Sequence, residues 1–399
     1  MKIVFFSFYY PPDLSAGSFR SAALSKALEK KIGTNDVLHV ITTHPNRYPT
    51  HRAKADNTEV GGKITIHRIS VPTHRSGMIS QAYTFSVFAF FAFNVCRKLK
   101  PGFIIGTTSR LMTGVLTWIS AKFLRQKYYI DLRDIFSETI SDLFALKNGL
   151  LSATSKRLFS FLDKQVLNSA AGVNVVSEGF PEYFEKKGIN TSNWSFFPNG
   201  VDEEFLSFTP LGKEPSKNFI TILYAGNIGN GQGLETVIPD IAKRLGLSYR
   251  FVIIGDGGAI SLLRTAIQQK SISNVELLSP VNRSELIKYY MGADIMFLHL
   301  NNIPAFRRVL PSKIFEYTAL RKPIVAGLNG YSAQFLKDNV PYAFLFEPGD
   351  SKAAASCVFE AVDSQVPEEV VTKFVTKYSR LSIMDQMANQ LNSIMDSSR

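Results

Sequence analysis

The stretch Phe306-Arg-Arg-Val-Leu-Pro-Ser-Lys-Ile-Phe-Glu-Tyr-Thr-Ala-Leu-Arg-Lys-Pro323 gathers residue types that can hold a diphosphate and a sugar. Arg307 and Arg308 fall in a loop, Pro311 and Ser312 open a helix, Lys313 lies in its first turn, and Glu316 follows one turn later. A helix N-terminus presents unpaired N–H groups and partial positive charge, which suits phosphate. Adjacent cations strengthen that field. A carboxylate one turn further in can accept hydrogen bonds from the paired hydroxyls of a ribose. The plain alternative is a capped helix after a surface loop.

Two glycine-rich turns point the same way. Tyr224-Ala-Gly-Asn-Ile-Gly-Asn-Gly-Gln-Gly-Leu234 carries Gly226, Gly229, Gly231 and Gly233, and Ile254-Gly-Asp-Gly-Gly258 carries Gly255, Asp256 and Gly257. Backbone N–H groups in such turns can approach a phosphate closely. Neither turn has the Lys-Ser/Thr of a P-loop or a clean Gly-x-Gly-x-x-Gly, and the second could equally be a tight turn with no ligand. If all three segments lie at one edge of a parallel sheet, their conjunction predicts a nucleoside-diphosphate site. A separate charged turn, Leu132-Arg-Asp-Ile-Phe-Ser-Glu138, offers Arg133, Asp134 and Glu138 to contact an acceptor or position it for proton loss. Its alternative is a surface ion-pair network.

The scaffold these turns require is written in the hydrophobic pattern. Strand-like runs at Lys2–Phe8, Asp36–Thr42, Lys63–Ile69, Phe103–Ile105, Tyr128–Asp131 and Gly172–Val176 are separated by segments that include an amphipathic helix at Phe19–Lys31. After a polar linker, Leu206–Asn218, the alternation restarts. Strands are expected at Ile220–Ala225, Tyr249–Ile254, Val275–Leu278, Ile295–Leu298 and Pro323–Gly327, with helices at Leu234–Leu245, Ile260–Gln269, Ser284–Met291 and Ser312–Leu320. This predicts an α/β protein of two doubly wound halves, and ligands of such sheets sit at the carboxyl ends of the strands. A cleft between the halves is the expected site.

Bulk properties narrow the classes. A chain of 399 residues is long for one core, and 45% hydrophobic residues suit a folded protein. Cys96 and Cys357 lie far apart, and the six histidines make no metal-binding cluster. A disulfide framework and a structural zinc are therefore not expected, and a reducing compartment fits. The start, Met1-Lys-Ile-Val-Phe-Phe, reads as a strand rather than a signal peptide. The net charge of +12 is uneven: residues 1–130 carry +13 and the remainder −1. Nucleic acid and anionic lipid are the usual partners of such a basic domain. From Ser76 to Cys96 there is no charged residue, while Phe85, Phe88, Phe90, Phe91 and Phe93 crowd the run and Arg97, Lys98 and Lys100 follow it. Its core, Ala82–Cys96, is short for a membrane span. It reads either as an interfacial helix with basic flanks or as a helix buried against a sheet.

Taken in order, these segments resemble the retaining glycosyltransferases of family 4, with the GT-B fold. The likeness rests on Tyr224-Ala-Gly-Asn, Gly255-Asp-Gly, Gly292-Ala-Asp294 and Pro311-Ser-Lys-x-x-Glu-Tyr-x-Ala-x-x-Lys-Pro323. It continues in Val176-Ser-Glu-Gly179, Pro198-Asn-Gly-Val-Asp202 and Pro11-Pro-x-x-x-x-Gly17, and spans nearly the whole chain. Phe306-Arg-x-Val-Leu-Pro-Ser-Lys and Leu132-Arg-Asp-Ile-Phe-x-Glu138 are most similar to surface-polysaccharide enzymes, including N-acetylfucosamine transferases of O-antigen and capsule pathways.

The resemblance implies two Rossmann-like domains facing across a cleft: residues 1–205 on the acceptor side and 206–378 on the nucleotide-sugar side. Residues 379–399 would form a helix packing back on the first. It implies transfer of a sugar from a nucleoside diphosphate, UDP being favoured, to a hydroxyl with retention of configuration. No cofactor and no obligatory metal are expected. Lys313 and Arg307 would face the diphosphate and Glu316 the ribose, while Gly17 would approach the phosphates from the other domain. Gly226, Asn227, Gln232, Gly233, Gly255, Asp256, Gly257, Arg308, Leu310, Pro311 and Ser312 would line the donor. Arg133, Asp134 and Glu138 would serve the acceptor, Asp134 and Glu138 also being catalytic candidates.

Three departures stand out. Arg308 replaces the earlier glutamate of the family's Glu-x7-Glu pattern. Asn227 and Gln232 stand where Arg and Lys are usual, so the charge would have moved to Arg307, Arg308 and Lys313. No histidine matches in Gly106-Thr-Thr-Ser-Arg110. The expected partners are a lipid-linked saccharide and an anionic membrane surface, with the protein peripheral on the cytoplasmic face. A sugar-nucleotide epimerase of the same fold and a catalytically silent binding protein are the alternatives. A nucleic-acid binder is disfavoured, because the aromatics cluster in an apolar run instead of alternating with cations.

Overall fold

A computed structural model describes residues 1–13, 15–46, 54–72, 78–108, 111–135, 149–206 and 219–397. The chain divides into two compact units, Met1–Asn199 with Arg380–Arg399, and Gly200–Ser379. Gly200–Phe205, assigned to the first domain from sequence, thus groups with the second. There Asp202 and Glu204 both pair with Arg283, and the Phe205 ring lies 6.0 Å from that of Tyr290.

The first unit is built on β1 (Lys2–Phe6), β2 (Val37–Thr43), β3 (Thr58–Gly61), β4 (Ile64–Ile69), β5 (Phe103–Thr107), β6 (Lys127–Leu132), β7 (Gly172–Val175) and β8 (Ser195–Phe196). Their order is β3-β4-β2-β1-β5-β6-β7-β8, parallel except for the β3–β4 hairpin. Ile3 to Phe6 and Phe103 to Ile105 are wholly buried, the continuous apolar run of strands covered on both faces. Direction reverses between β1 and β5, so the chain leaving β1 and the helix Ala16–Lys31 begin at a switch point. Ser15 caps that helix by accepting from Ser18 N–H at 3.2 Å. The C-terminal helix Arg380–Asp396 packs against the same helix, with a Lys31–Asp385 ion pair at 2.9 Å.

A buried polar knot ties this unit together. Arg20 meets Asp131 through two hydrogen bonds of 2.9 Å, and both side chains are 1% exposed. Arg20 also donates to the Pro198 and Phe197 carbonyls, and Asn174 donates to Asp131 at 2.7 Å. Burial alone would disfavour the charged Asp131 carboxylate. The Arg20 charge and hydrogen bonds, helped by Arg133 and Asn174, outweigh it and hold the group below the ordinary carboxylate range.

The second unit carries β9 (Ile220–Ala225), β10 (Tyr249–Ile254), β11 (Val275–Leu278), β12 (Ile295–His299), β13 (Ile324–Gly327) and β14 (Ala343–Phe346). They are parallel in the order β11-β10-β9-β12-β13-β14, the doubly wound arrangement with its reversal between β9 and β12. The helix Leu234–Leu245 buries Leu234, Val237, Ile238, Ile241, Ala242 and Leu245, a stripe at helical spacing. That stripe packs on Ile222, Tyr224, Phe251 and Phe297. Each such large side chain contributes roughly 1.5–3 kcal/mol of burial.

The phenylalanine-rich run forms the helix Met78–Leu99 and resolves into two faces. Phe85, Phe88, Ala92 and Cys96 are buried, whereas Phe90 is 65% and Phe91 50% exposed. The buried reading of this run describes one side of the helix, and the other side is open to solvent. No helix among the described residues is long and apolar enough to cross a membrane.

Candidate active site

Several of the residues expected at the donor meet within the second unit. Gly226 follows β9 with φ +148, and a Cβ there would collide with the Lys313 ammonium. Lys313 therefore lies in the space that the missing side chain leaves, with Nζ 5.3 Å from the centre of the Tyr224 ring. Tyr317, one turn along, accepts from Ala225 N–H at 3.1 Å and pins the helix Lys313–Ala319 to the end of β9. Burial pulls the Lys313 ammonium below the usual lysine range, and Glu316 pulls it back. Gly226→Ala should move Lys313 and cut turnover more than it cuts stability; kinetics beside a thermal melt check this, and unaltered turnover would remove Lys313 from the phosphate site.

Glu316 sits between two partners. Tyr290 Oη donates to Oε2 at 3.2 Å, and Arg283 approaches Oε1 at 3.6 Å while also pairing with Asp202 and Glu204. The carboxylate is thereby held with lone pairs to spare. Arg307 is exposed, and its Nε donates to Asn302 at 2.8 Å. Arg308 donates to the Pro304 carbonyl at 3.1 Å. Leu310 is buried.

The structure adds detail to several of the sequence expectations. The helix after Pro311 has only seven residues, Ser312 makes no side-chain cap, and the Ile314 and Phe315 N–H groups already bond to the Pro311 and Ser312 carbonyls. Little dipole is left, so side-chain cations must supply most of the positive field. Gly255 and Gly257 face protein instead of open space: a Cβ at Gly255 would strike the Gly226 carbonyl, and one at Gly257 the Ile228 carbonyl. They let the turns after β9 and β10 stack backbone on backbone; Asp256 beside them is exposed and accepts from Gly257 N–H at 2.7 Å. Asn227 and Gln232, standing where cations are usual, bond to each other at 2.9 Å. Gly233 takes φ +57 ahead of the helix Leu234–Leu245, against the Asn301 side chain.

Sequence reasoning passed over Arg283, Tyr290 and His299. His299 ends β12, buried, with Nδ1 2.6 Å from the Gln232 carbonyl and Nε2 accepting from Gly349 N–H at 3.1 Å. An acceptor at Nε2 leaves the proton on Nδ1, so the ring is neutral; burial lowers its pKa accordingly. It braces the loop carrying Gln232. Its position at a strand's carboxyl end was the available signal, whereas nothing in the local pattern marks Arg283.

In the first unit, Gly17 lies in the first turn of its helix, and a Cβ there would collide with the Arg133 guanidinium. Arg133 N–H donates to Thr108 Oγ1 at 3.1 Å, and its Nε is buried with no hydrogen-bond partner among the described residues. Asp134 is exposed. Glu138 lies outside the described residues. The carboxyl ends of β1, β5 and β6 thus gather Gly17, Thr108 and Arg133.

The two doubly wound sheets are those of the GT-B fold, and comparison with known proteins agrees. A model of glycosyl transferases group 1 matches residues 211–377, and one of a glycosyl transferase 4-like domain matches residues 34–200. The chain belongs to the GT4 glycosyltransferases, a retaining family. A protein described as the colanic acid biosynthesis glycosyl transferase WcaI of Escherichia coli is 23% identical over 385 residues, covering 91% of this chain and 92% of that one. The sucrose-phosphate synthase structure from Thermosynechococcus elongatus superposes with a TM-score of 0.77 at 14% identity, covering 100% of both chains. Anabaena HepE in complex with UDP and glucose gives 0.71 at 16% identity, covering 98% of this chain and 100% of that one. These structures share the fold.

Proposed function

We propose that this glycosyltransferase moves a sugar from UDP to a hydroxyl of a lipid-linked saccharide during surface-polysaccharide assembly, at the cytoplasmic face of a membrane. The observation that carries the donor half is Lys313, seated against Gly226 at the switch point of the second sheet and one turn from Glu316. In this reading Lys313 and Arg307 stabilise the charge that develops on the leaving diphosphate, doing so without an obligatory metal. Glu316, held by Tyr290 and Arg283, accepts from the ribose hydroxyls. Gly17 is assigned to the phosphates, and Arg133, Asp134 and Glu138 to the acceptor. UDP is favoured by HepE, whose structure holds UDP and glucose. Polysaccharide assembly is favoured by WcaI, described as acting in colanic acid biosynthesis. An N-acetylated deoxyhexose is the sugar that the narrower motif likeness supports.

Thermal unfolding with UDP, GDP, ADP and dTDP, each with and without a chelator, tests the donor site. Stabilisation by UDP alone, about 2.7 kcal/mol at a hundredfold excess over Kd and insensitive to the chelator, is expected. No stabilisation by any of the four would remove the donor assignment. Free UDP-sugar turnover without an acceptor would favour an epimerase. Glu316→Ala should weaken UDP binding on the order of tenfold, the loss of hydrogen bonds to a charged acceptor. Unchanged affinity would end its ribose role.

A further inference from the structure

From Val60 to Ile130 the chain contains no Asp or Glu and ten Lys or Arg residues. Two helices of the first unit lie in this stretch, Met78–Leu99 and Leu111–Leu124, and they pack side by side. Tyr83, Phe90 and Phe91 are exposed on the first, and Met112, Ile119 and Phe123 on the second. The spacing of each set keeps it on one helical face. Contact between the Phe93 and Phe123 rings, centroids 5.3 Å apart, joins the two faces into one apolar surface. At the helices' C-terminal ends Arg97, Lys98, Lys100, Lys122, Arg125 and Lys127 are all exposed.

Scattered apolar residues need no explanation, but a joined aromatic surface with a one-signed rim does. Its charge selects among occupants. A second copy would bring its own cations against these, with no carboxylate in either stretch to answer them. An anionic bilayer offers both what the rim and what the face require: headgroup charge for the cations, and an acyl boundary for rings that reach several ångströms in. We propose that this two-helix face is the membrane-docking surface of the protein and that its ligand is an anionic lipid bilayer. The inference deepens the membrane-side reading above and is independent of the donor site, since no residue in it is assigned to donor or acceptor.

The test is co-sedimentation of the full chain with vesicles of phosphatidylglycerol and phosphatidylethanolamine, beside vesicles of phosphatidylcholine alone. Binding to the anionic vesicles only, weakened by salt, is expected. In the triple variant Phe90→Ser, Phe91→Ser, Phe123→Ser, partitioning should fall on the order of a hundredfold. These side chains are exposed, so the melt and the UDP affinity should stay as in the parent. Lys98→Glu with Lys122→Glu, which leaves the aromatics in place, should cost about fivefold per charge removed at low salt. Absence of anionic-vesicle binding by the parent, or equal binding by parent and triple variant, overturns the proposal. A parent that sediments as a dimer and becomes a monomer in the triple variant assigns the face to a second copy instead. UDP affinity retained throughout keeps failure here separate from failure of the donor assignment.

Discussion

Lys313→Ala should lower turnover on the order of a hundred- to a thousandfold while donor affinity falls much less. The ammonium is placed by three features the substitution leaves intact: the open position at Gly226, the ring of Tyr224 and the Tyr317–Ala225 hydrogen bond. What is lost is positive charge in a partly desolvated setting, where a field acts more strongly than in water. In the proposed donor reading the ground-state diphosphate already carries its charge and would be shared with Arg307. The bond that breaks adds negative charge to the leaving oxygen, so the larger effect belongs on kcat. Single-turnover kinetics beside direct measurement of UDP binding separates the two. Equal losses would mean uniform binding, and unchanged turnover would pass the leaving-group role to Arg307.

Asp131→Ala should destabilise the first unit by about 3–5 kcal/mol, because it strands a guanidinium in the interior. Arg20 is 1% exposed and keeps only the Pro198 and Phe197 carbonyls and the Met387 sulfur once the carboxylate is gone, none of them charged. Removing both partners with apolar replacements should cost less than removing one, which urea unfolding of the single and double variants would show. A single-variant loss under about 1 kcal/mol would contradict the buried-pair account. The pair also predicts acid sensitivity. Asp131 is depressed in the folded state, so its contribution is complete above the unfolded carboxylate value near 3.9 and is lost as pH falls through the lower folded value.

Arg20 and Asp131 also mark where sequence reading stops. They lie 111 positions apart, Asp131 closing an apparently apolar strand and Arg20 inside an amphipathic helix. No local period announces that they meet. The glycine turns are a subtler case. Their positions were legible, because clusters of glycine after apolar runs mark strand-to-helix turns. Their purpose was not: Gly255 and Gly257 are small so that one turn can lie on another, and Gly226 so that a lysine can reach in. A residue without a side chain looks the same whether ligand, backbone or a distant ammonium fills the space. The phenylalanine run shows the same limit, since a helix with aromatics on both sides carries no amphipathic signal to say which side is covered.

By itself the sequence determined the alternation of strands and helices and the doubly wound class, carried the likeness to the glycosyltransferase family, and singled out the segment from Arg307 to Glu316 as a candidate donor site. These are local or ordered properties: periodicity, turn chemistry and motifs in fixed succession. Only the tertiary structure decided that the helix after Pro311 is too short to act chiefly through its dipole. It alone seated Lys313 in the place of a missing Cβ and set Arg283 and Tyr290 on Glu316. It also divided the phenylalanines between core and surface. Each of these depends on contacts between segments far apart in the chain, whose geometry is set by packing and not by neighbouring residues.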